Sequence, residues 1–427
     1  MTKEAGVGEK TRAADAIAEC KLLATMSEEP GRTTRRFLTP PFSDVHAHLK
    51  ARMIPLGMTV TVDAAGNLRG LWRPDATGPK STGVKRLVLG SHIDTVPDAG
   101  AFDGVLGVIL ALELVAEARA NSLPMALEVI AFSEEEGVRF GVPFLGSRAV
   151  AGRFDPALLM LKDADGVSAE EAIRRFGLDP EKLGEAAVSD EAVGFFEIHI
   201  EQGPVLEAEG LQVACVTGIV GQTRCEVTFN GQANHAGTTP MRLRQDALAC
   251  AAEWISGVEK LARASLDRPG ASELVATVGK IAVEPNAGNV IAGSVRVSLD
   301  IRSARDAARE DAVAELLDLA KEISARRLLR CETRTLMTQP AVPMDERLTA
   351  FLVDAMEAAG YPTRQLPSGA GHDAMVMATR VPSAMLFLRS PGGISHHPAE
   401  AVLEDDIEAA LRVSWIFLQR LASLHSV

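Results

Sequence analysis

No uncharged run in this 427-residue sequence reaches the roughly 18 residues that a membrane-spanning helix requires. The first 40 residues mix acidic and basic side chains and hold no apolar segment followed by a cleavage site, so no secretory signal is read there. Cysteine is scarce. The five present, Cys20, Cys215, Cys225, Cys250 and Cys331, are odd in number and scattered, with no CxxC pair, which argues against both a disulfide framework and a thiolate zinc site. Free thiols in a reducing cytoplasm are the expectation. Basic charge is also short: 44 Lys and Arg against 57 Asp and Glu leave a net charge of −13, which repels phosphate backbones and anionic lipid unless a basic cluster offsets it locally. No such cluster is found, so neither nucleic acid nor a membrane surface is expected as a partner. Internal repeats and low-complexity tracts are absent as well.

What is there suits a folded protein of two domains. The length exceeds what one hydrophobic core usually fills, and 47% apolar with 24% charged residues is an ordinary globular balance. Arg86 to Gly90 reads as a short apolar strand, Gly104 to Ala120 carries apolar residues at helical spacing, and Leu127 to Phe132 reads as a second buried strand. That βαβ unit predicts an α/β sheet covered on both faces. Its ligands should gather beyond the carboxyl ends of the strands. A different rhythm starts near Val213: a strand at Thr223–Asn230, a helix at Arg244–Ala264, strands at Leu274–Val283 and Val295–Ile301, a helix at Ala304–Arg326 and a strand near Arg330–Leu336. This order is the split βαβ, or ferredoxin-like, pattern. The expected division is therefore 1–212 and 338–427 for one domain, with 213–337 inserted.

Of nine histidines, His92, His199, His235, His372, His396 and His397 lie in turns flanked by Gly or Pro, several beside carboxylates. A single histidine so placed is more often structural than a ligand; the set carries the argument. In Gly90-Ser-His-Ile-Asp94, His92 sits at a strand end and Asp94 points to the same side two residues on. An aspartate there can accept one imidazole N–H and leave the other nitrogen for a metal, although a capped turn would look the same. Asp103, opening a helix in Phe102-Asp103-Gly104, reads by itself as an N-cap. Ser133-Glu-Glu-Glu-Gly137 ends a buried strand, where three adjacent carboxylates repel unless a cation or proton intervenes; a solvated acidic loop is the plainer explanation. Glu197, His199 and Glu201 alternate onto one face of a strand, which could equally be the polar face of an edge strand. Near the C-terminus, His396 and His397 are equivalent by chemistry alone. Three histidines and two carboxylates together suit zinc or manganese far better than calcium.

Those motifs, GSHIDTVPDAGAFDG, SEEEGVRFGVPFLGS, EIHIEQGPVLE, GQANHAGTTPMRLRQDAL, NAGNVIAG, DIR, SGAGHDA and GISHHPAE, resemble those of the allantoate amidohydrolase and N-carbamoyl-L-amino-acid hydrolase group, which includes β-ureidopropionases. The resemblance runs from about Thr33 to the C-terminus. It implies a mixed-sheet α/β catalytic domain of zinc-exopeptidase type with an inserted ferredoxin-like α+β lid and dimerisation domain, and hence a homodimer. It also implies two divalent ions, Zn2+ or Mn2+. His92, Asp103 and His199 would hold one, and Asp103, Glu136 and His396 the other, with His396 chosen because it directly follows the serine of its motif. Glu135 would be the general base, Asp94 would orient His92, and His235 would stabilise the oxyanion, across the subunit interface. Asn289 and Arg302 would bind a substrate carboxylate, with Gln202, Gly369 and His372 as pocket wall. The implied reaction is hydrolysis of a ureido or carbamoyl C–N bond, allantoate being the first substrate expected and an N-carbamoyl-L-amino acid or N-carbamoyl-β-alanine the second. The contrasting reading is a binding protein that keeps the fold without turnover.

Overall fold

The computed structural model describes residues 11–74, 85–265 and 274–424. The chain forms two compact units, one of Met1–Thr217, Met344–Leu366 and Gly371–Val427 and a second of Gly218–Pro343 with Pro367–Ala370. These limits lie a few residues beyond the 213–337 insert expected from sequence. The reason is the strand Val213–Ile219: its first four residues pair with Ser383–Leu388, while Gly218 and Ile219 pair with Val342 and Pro343.

In the first unit, Arg86–His92 and Ala126–Phe132 are buried along their whole length, as strands covered on both faces must be. They pair in parallel, and Arg86–His92 pairs in parallel with Ala192–Ile200 on its other side. The sheet continues from Ala192–Ile200 to Ser383–Leu388 in parallel and then to Val213–Ile219 antiparallel. At the opposite side Leu68–Trp72 and Thr59–Val62 add antiparallel strands, so the sheet is mixed. Ala192–Ile200 lies between two parallel neighbours, which excludes the edge-strand reading of Glu197, His199 and Glu201.

The helix Val105–Ala120 follows the first of these strands and is apolar nearly all round, with eleven buried residues, the pattern of a helix enclosed within a core. Arg12–Ala24 and Glu404–Leu424 pack against it and each other, and Glu346–Ala359 packs against Glu404–Leu424. Phe196 of the sheet meets Phe417 of the last helix with ring centroids 4.7 Å apart. No helix among the described residues is long and apolar enough to cross a membrane.

The second unit has the expected order with one difference. Gly221–Asn230 and Ser294–Ser303 alternate buried and less buried residues, as one-sided strands do, and pair antiparallel over ten residues. Arg330–Gln339 lies on the far side of Gly221–Asn230. The run read as one strand over Leu274–Val283 is two, Leu274–Thr277 and Ile281–Glu284, both antiparallel to Ser294–Ser303. Between them three residues, Val278 to Lys280, face two, Ser298 and Leu299, so the ladder slips by one residue, and Lys280 donates its N–H to the Ser298 hydroxyl. Ala247–Ser265 and Asp306–Arg326 pack together, with Trp254 Nε1 donating to the Leu316 carbonyl at 2.8 Å.

One glycine governs how closely helix and sheet approach in the first unit. A Cβ on Gly107 would stand 2.2 Å from the Ile198 carbonyl oxygen, one residue before His199. Because backbone cannot yield as a side-chain tip can, Gly107→Ala should cost about 1–3 kcal/mol by overpacking, read as a lower urea midpoint. An unchanged midpoint would show that the helix is free to shift.

Candidate metal centre

The carboxyl ends of the parallel strands deliver the site. His92 closes Arg86–His92, Ser133 to Glu136 follow Ala126–Phe132, and His199 is the penultimate residue of Ala192–Ile200. His372 and Asp373 stand at the start of a short helix, Asp373–Met377.

Four groups of ligand-type atoms form among the described residues, and two of them share Asp103: His92, Asp103 and His199, and Asp103, Glu136 and His396; the others are Glu197, His199 and His372, and His92, Glu135 and Glu136. Each oxygen of Asp103 serves one group. Oδ1 lies 3.2 Å from His199 Nε2 and 3.7 Å from His92 Nε2; Oδ2 lies 3.2 Å from His396 Nε2, which in turn is 3.4 Å from Glu136 Oε1. Ligands at about 2.1 Å from one ion in tetrahedral array stand about 3.4 Å apart. The spacing therefore fits two shared cation sites.

Hydrogen bonding points the same way. His92 Nδ1 and His199 Nδ1 are 3.0 and 2.9 Å from the carbonyls of Asp94 and Ile200. A proton on each Nδ1 turns the Nε2 lone pair toward Asp103 Oδ1. Asp103 Oδ1 and His199 Nε2 are buried and form no aligned hydrogen bond, a costly arrangement unless positive charge stands between them. Gly104 permits the approach, since a Cβ there would lie 2.4 Å from His92 Nε2, and its φ is +68°. Gly104, not Asp103, occupies the N-cap position of Val105–Ala120, so the capping reading of Asp103 does not hold.

Asp94 differs from expectation. The backbone carbonyl of Asp94, not its carboxylate, is the hydrogen-bond partner of His92. The carboxylate instead accepts the N–H groups of Glu135 and Glu136, both at 3.0 Å. The acidic run also separates: Glu134 is buried and accepts from the N–H groups of Phe37 and Arg139, leaving Glu135 and Glu136 with the metal-type groups. Glu201 caps the following helix by accepting from Val205 and Leu206. Glu197 accepts from the Ser91 hydroxyl and the Ala374 N–H. Of the two adjacent histidines, His397 turns its Nδ1 to the Ala399 N–H, and His396 joins the cluster.

Gln202 stands closer to the cluster than a pocket-wall assignment suggests, its Nε2 donating to Asp103 Oδ2 at 3.0 Å. Glu134, Gln202 and His396 all adopt left-handed φ, +48°, +58° and +56°, a local cost of about 1–3 kcal/mol each that surrounding contacts must offset. His372 is buried against His199, centroids 4.4 Å apart, and burial with the neighbouring His199 holds it well below the usual histidine range. Sequence reasoning missed two participants, Ser395 and Glu400. Ser395 Oγ is 3.1 Å from Asp103 Oδ2 and 3.2 Å from Glu400 Oε2; their presence inside GISHHPAE was the available signal.

Four further residues named from the sequence belong to the second unit. His235 lies on Asn234–His235, paired with Val290–Ile291, and Asn289 accepts the Ala236 N–H with its carbonyl. His235 Nδ1 accepts from the N–H groups of Gly237 and Thr238 at 3.0 and 3.2 Å, which leaves the ring proton on Nε2 of this exposed side chain. Arg302 Nη1 donates to the Gly369 carbonyl at 2.7 Å, and its Nε donates to Asp300.

Burial pushes Glu136 up to about 7, with Asp103 adding repulsion, and pushes Glu134 up to about 8, with Asp94 adding. Glu135 is raised well above the carboxylate range, by burial and then by Glu136, Asp373 and Asp94, against the pull of His92. His396 is raised to about 9, chiefly by its hydrogen bond to Asp103. For all of these the folded protein holds protons that the unfolded chain, titrating near 4.3 for Glu and about 6.5 for His, has released. Their stabilisation is complete below the unfolded values and lost as pH rises through the folded ones. The depressed Asp103 carboxyl acts in the other direction only in acid, below about pH 4. Chelator-stripped protein should thus melt at progressively lower temperature from about pH 7 to about pH 8.5, above the range in which the depressed His46 and His372 act in the opposite direction. A flat or rising melting temperature by scanning fluorimetry would contradict this charge balance.

The profile of peptidase family M20/M25/M40 matches residues 88–420. Allantoate deiminase of Arabidopsis thaliana is 38% identical over 93% of this chain and 80% of its own length. N-carbamoyl-L-amino acid amidohydrolase of Geobacillus stearothermophilus is 38% identical over 94% and 96%. The crystal structure of a hydantoinase/carbamoylase family amidase from Burkholderia multivorans superposes with a TM-score of 0.88 at 32% identity, covering 96% of this chain and 98% of that one.

Proposed function

The chain belongs to peptidase family M20/M25/M40, and within it we propose that this protein is a metal-dependent amidohydrolase cleaving a ureido or carbamoyl C–N bond of a small carboxylate-bearing substrate. The observation that carries this reading is the single Asp103 carboxylate offering one oxygen to each of two donor groups, with the Glu135 carboxylate alongside. In this reading His92, Asp103 and His199 hold one divalent cation and Asp103, Glu136 and His396 a second, zinc or manganese by the donor chemistry. Such cations supply Lewis acidity toward a carbonyl and toward water.

Glu135 is assigned as the general base. It takes a proton from the attacking water and returns it to the departing nitrogen, and a buried carboxyl whose proton affinity is raised by burial suits both transfers. Asp94 fixes the backbone of Glu135 and Glu136. His235, with Nδ1 engaged by two backbone donors, has Nε2–H to offer to a developing oxyanion. Arg302 and Asn289 are assigned to the substrate carboxylate, which would take the place of the Gly369 carbonyl or of Asp300 on the guanidinium fork, and Gln202, Gly369 and His372 to the surrounding wall.

Allantoate is the first substrate proposed and an N-carbamoyl-L-amino acid the second; relatives bearing each name are equally similar, at 38% identity, and do not separate the two. The deciding experiment assays allantoate, an N-carbamoyl-L-amino acid, N-carbamoyl-β-alanine and a carboxylate-free N-carbamoyl amine with zinc and with manganese. Turnover should favour one of the carboxylates, and the amine product that remains should identify it, since every compound in the panel releases ammonia and carbon dioxide on hydrolysis. Glu135→Gln should keep its metal and lose about 100- to 10,000-fold in kcat. Full activity in that variant would remove the base assignment, and no turnover of any compound by wild-type protein would favour a binding role.

The inserted unit is proposed to join two subunits into a homodimer in the cytoplasm, a location that the five free cysteines support. Mixing His235→Ala chains with Glu135→Gln chains should restore part of the activity if the histidine serves the partner's site. Absence of recovery after verified subunit exchange would place its action within one chain.

A further inference from the structure

We propose that Glu400 is a positioning residue that holds Asp103 in its shared orientation; the inference rests on the two-cation reading above. Its carboxylate is buried, and Oε1 accepts two consecutive backbone N–H groups, those of Phe102 at 2.8 Å and Asp103 at 2.9 Å. Oε2 is 3.2 Å from Ser395 Oγ, which is itself 3.1 Å from Asp103 Oδ2. Glu400 thus meets Asp103 at both ends, through the backbone amide and through the serine. The approach requires the glycine at position 100, where a Cβ would stand 2.3 Å from Glu400 Cβ and 2.5 Å from its Oε1.

Ser395 carries one hydroxyl proton between two carboxylate oxygens. When that proton goes to Glu400, Asp103 Oδ2 keeps its lone pairs for a cation and for the Gln202 N–H. When it goes to Asp103, Oδ2 is a poorer donor to metal. Glu400 therefore does two separable things: it fixes the Phe102–Asp103 backbone, and it competes with Asp103 for the serine proton. Partners of this kind typically change metal affinity by about 10- to 100-fold when removed.

Glu400→Ala and Glu400→Gln separate these actions. Alanine leaves both amides without their acceptor and releases Asp103, so both cation sites should weaken, by about 10- to 100-fold. Glutamine keeps one oxygen for the two amides but turns an amide donor toward Ser395, whose proton is then driven to Asp103 Oδ2. The Glu136–His396 site should weaken more than the His92–His199 site.

The measurement is titration of stripped protein with zinc in competition with a chromophoric chelator. Asp406→Asn serves as a control, since it disrupts the pair of buried Asp406 with half-buried Arg389, 2.8 Å apart, and neither residue belongs to the cluster. It should melt earlier yet bind zinc as wild type does. Wild-type zinc affinity at both sites in Glu400→Gln would overturn the proposal, even if Glu400→Ala failed to fold. So would an equal loss of affinity in Asp406→Asn, which would mark the effect as general destabilisation. If wild-type protein bound fewer than two zinc ions, the two-cation reading would fail first and the role of Glu400 with it.

Discussion

An excess of buried negative charge shapes the first unit. Asp94, Asp103, Glu134, Glu135, Glu197, Asp373 and Glu400 are all buried, with Glu136 nearly so, around three buried imidazoles, those of His92, His199 and His372. Carboxylates in an interior must be paired, hydrogen-bonded or protonated. Backbone amides answer for Asp94, Glu134 and Glu400, and a hydroxyl and an amide for Glu197. Asp103 Oδ1 faces two imidazole nitrogens at 3.2 and 3.7 Å without an aligned bond, and among the described residues neither oxygen of Asp373 has an aligned hydrogen-bond partner. Divalent cations would meet that demand, and few other ligands carry enough charge in so small a volume.

The sheet determines why these groups converge. Parallel strands present all their carboxyl ends on one edge, and the loops leaving that edge need not pair with neighbouring strands. The loop conformations are correspondingly costly. Glu134, Gln202 and His396 take left-handed φ without being glycine, while glycines at 100, 104 and 107 admit a carboxylate, an imidazole and a carbonyl at distances no side chain would allow. Stability given up in the loops is supplied by the continuous core beneath them, from Val105–Ala120 to Glu404–Leu424.

Much of this was legible in the sequence, for reasons that differ by element. The βαβ unit was readable because fully buried strands and a helix apolar on every side leave unmistakable runs. The alternating strands of the inserted unit were readable because one face is wet. The split of Leu274–Val283 was not, since it turns on an extra residue opposite Ser298 and Leu299 that no local pattern announces. The ligand types were visible as His and acidic residues at strand ends, but their partners were not. Asp94 was expected to orient His92 by its carboxylate; spacing could not reveal that the carbonyl does so while the carboxylate reaches a loop 41 residues later. Asp103 by itself read as a cap, and only the positive φ of Gly104 shows why the helix begins two residues further on. His396 and His397 were indistinguishable until the turn at Ala399 claimed one ring.

Asp94 and Glu400 solve the same problem. Each is a buried carboxylate gripping two successive backbone N–H groups in a loop that carries ligand-type residues: Glu135 and Glu136 for the first, Phe102 and Asp103 for the second. A neutral acceptor could satisfy those amides, but hydrogen bonds to a charged acceptor contribute more, about 1.5–3 kcal/mol each, and hold the loop more stiffly. The charge has a second effect. Placed just behind the inner ligands, it adds to the negative potential at the cluster without competing for a coordination position. Loops fixed this way can keep their ligands apart at cation spacing before any cation arrives, so that binding need not first order the chain. The grip on Asp103 comes from a residue 297 positions away, which ties the closing loop of the C-terminal segment to the first half of the sheet and makes the centre a property of the whole unit.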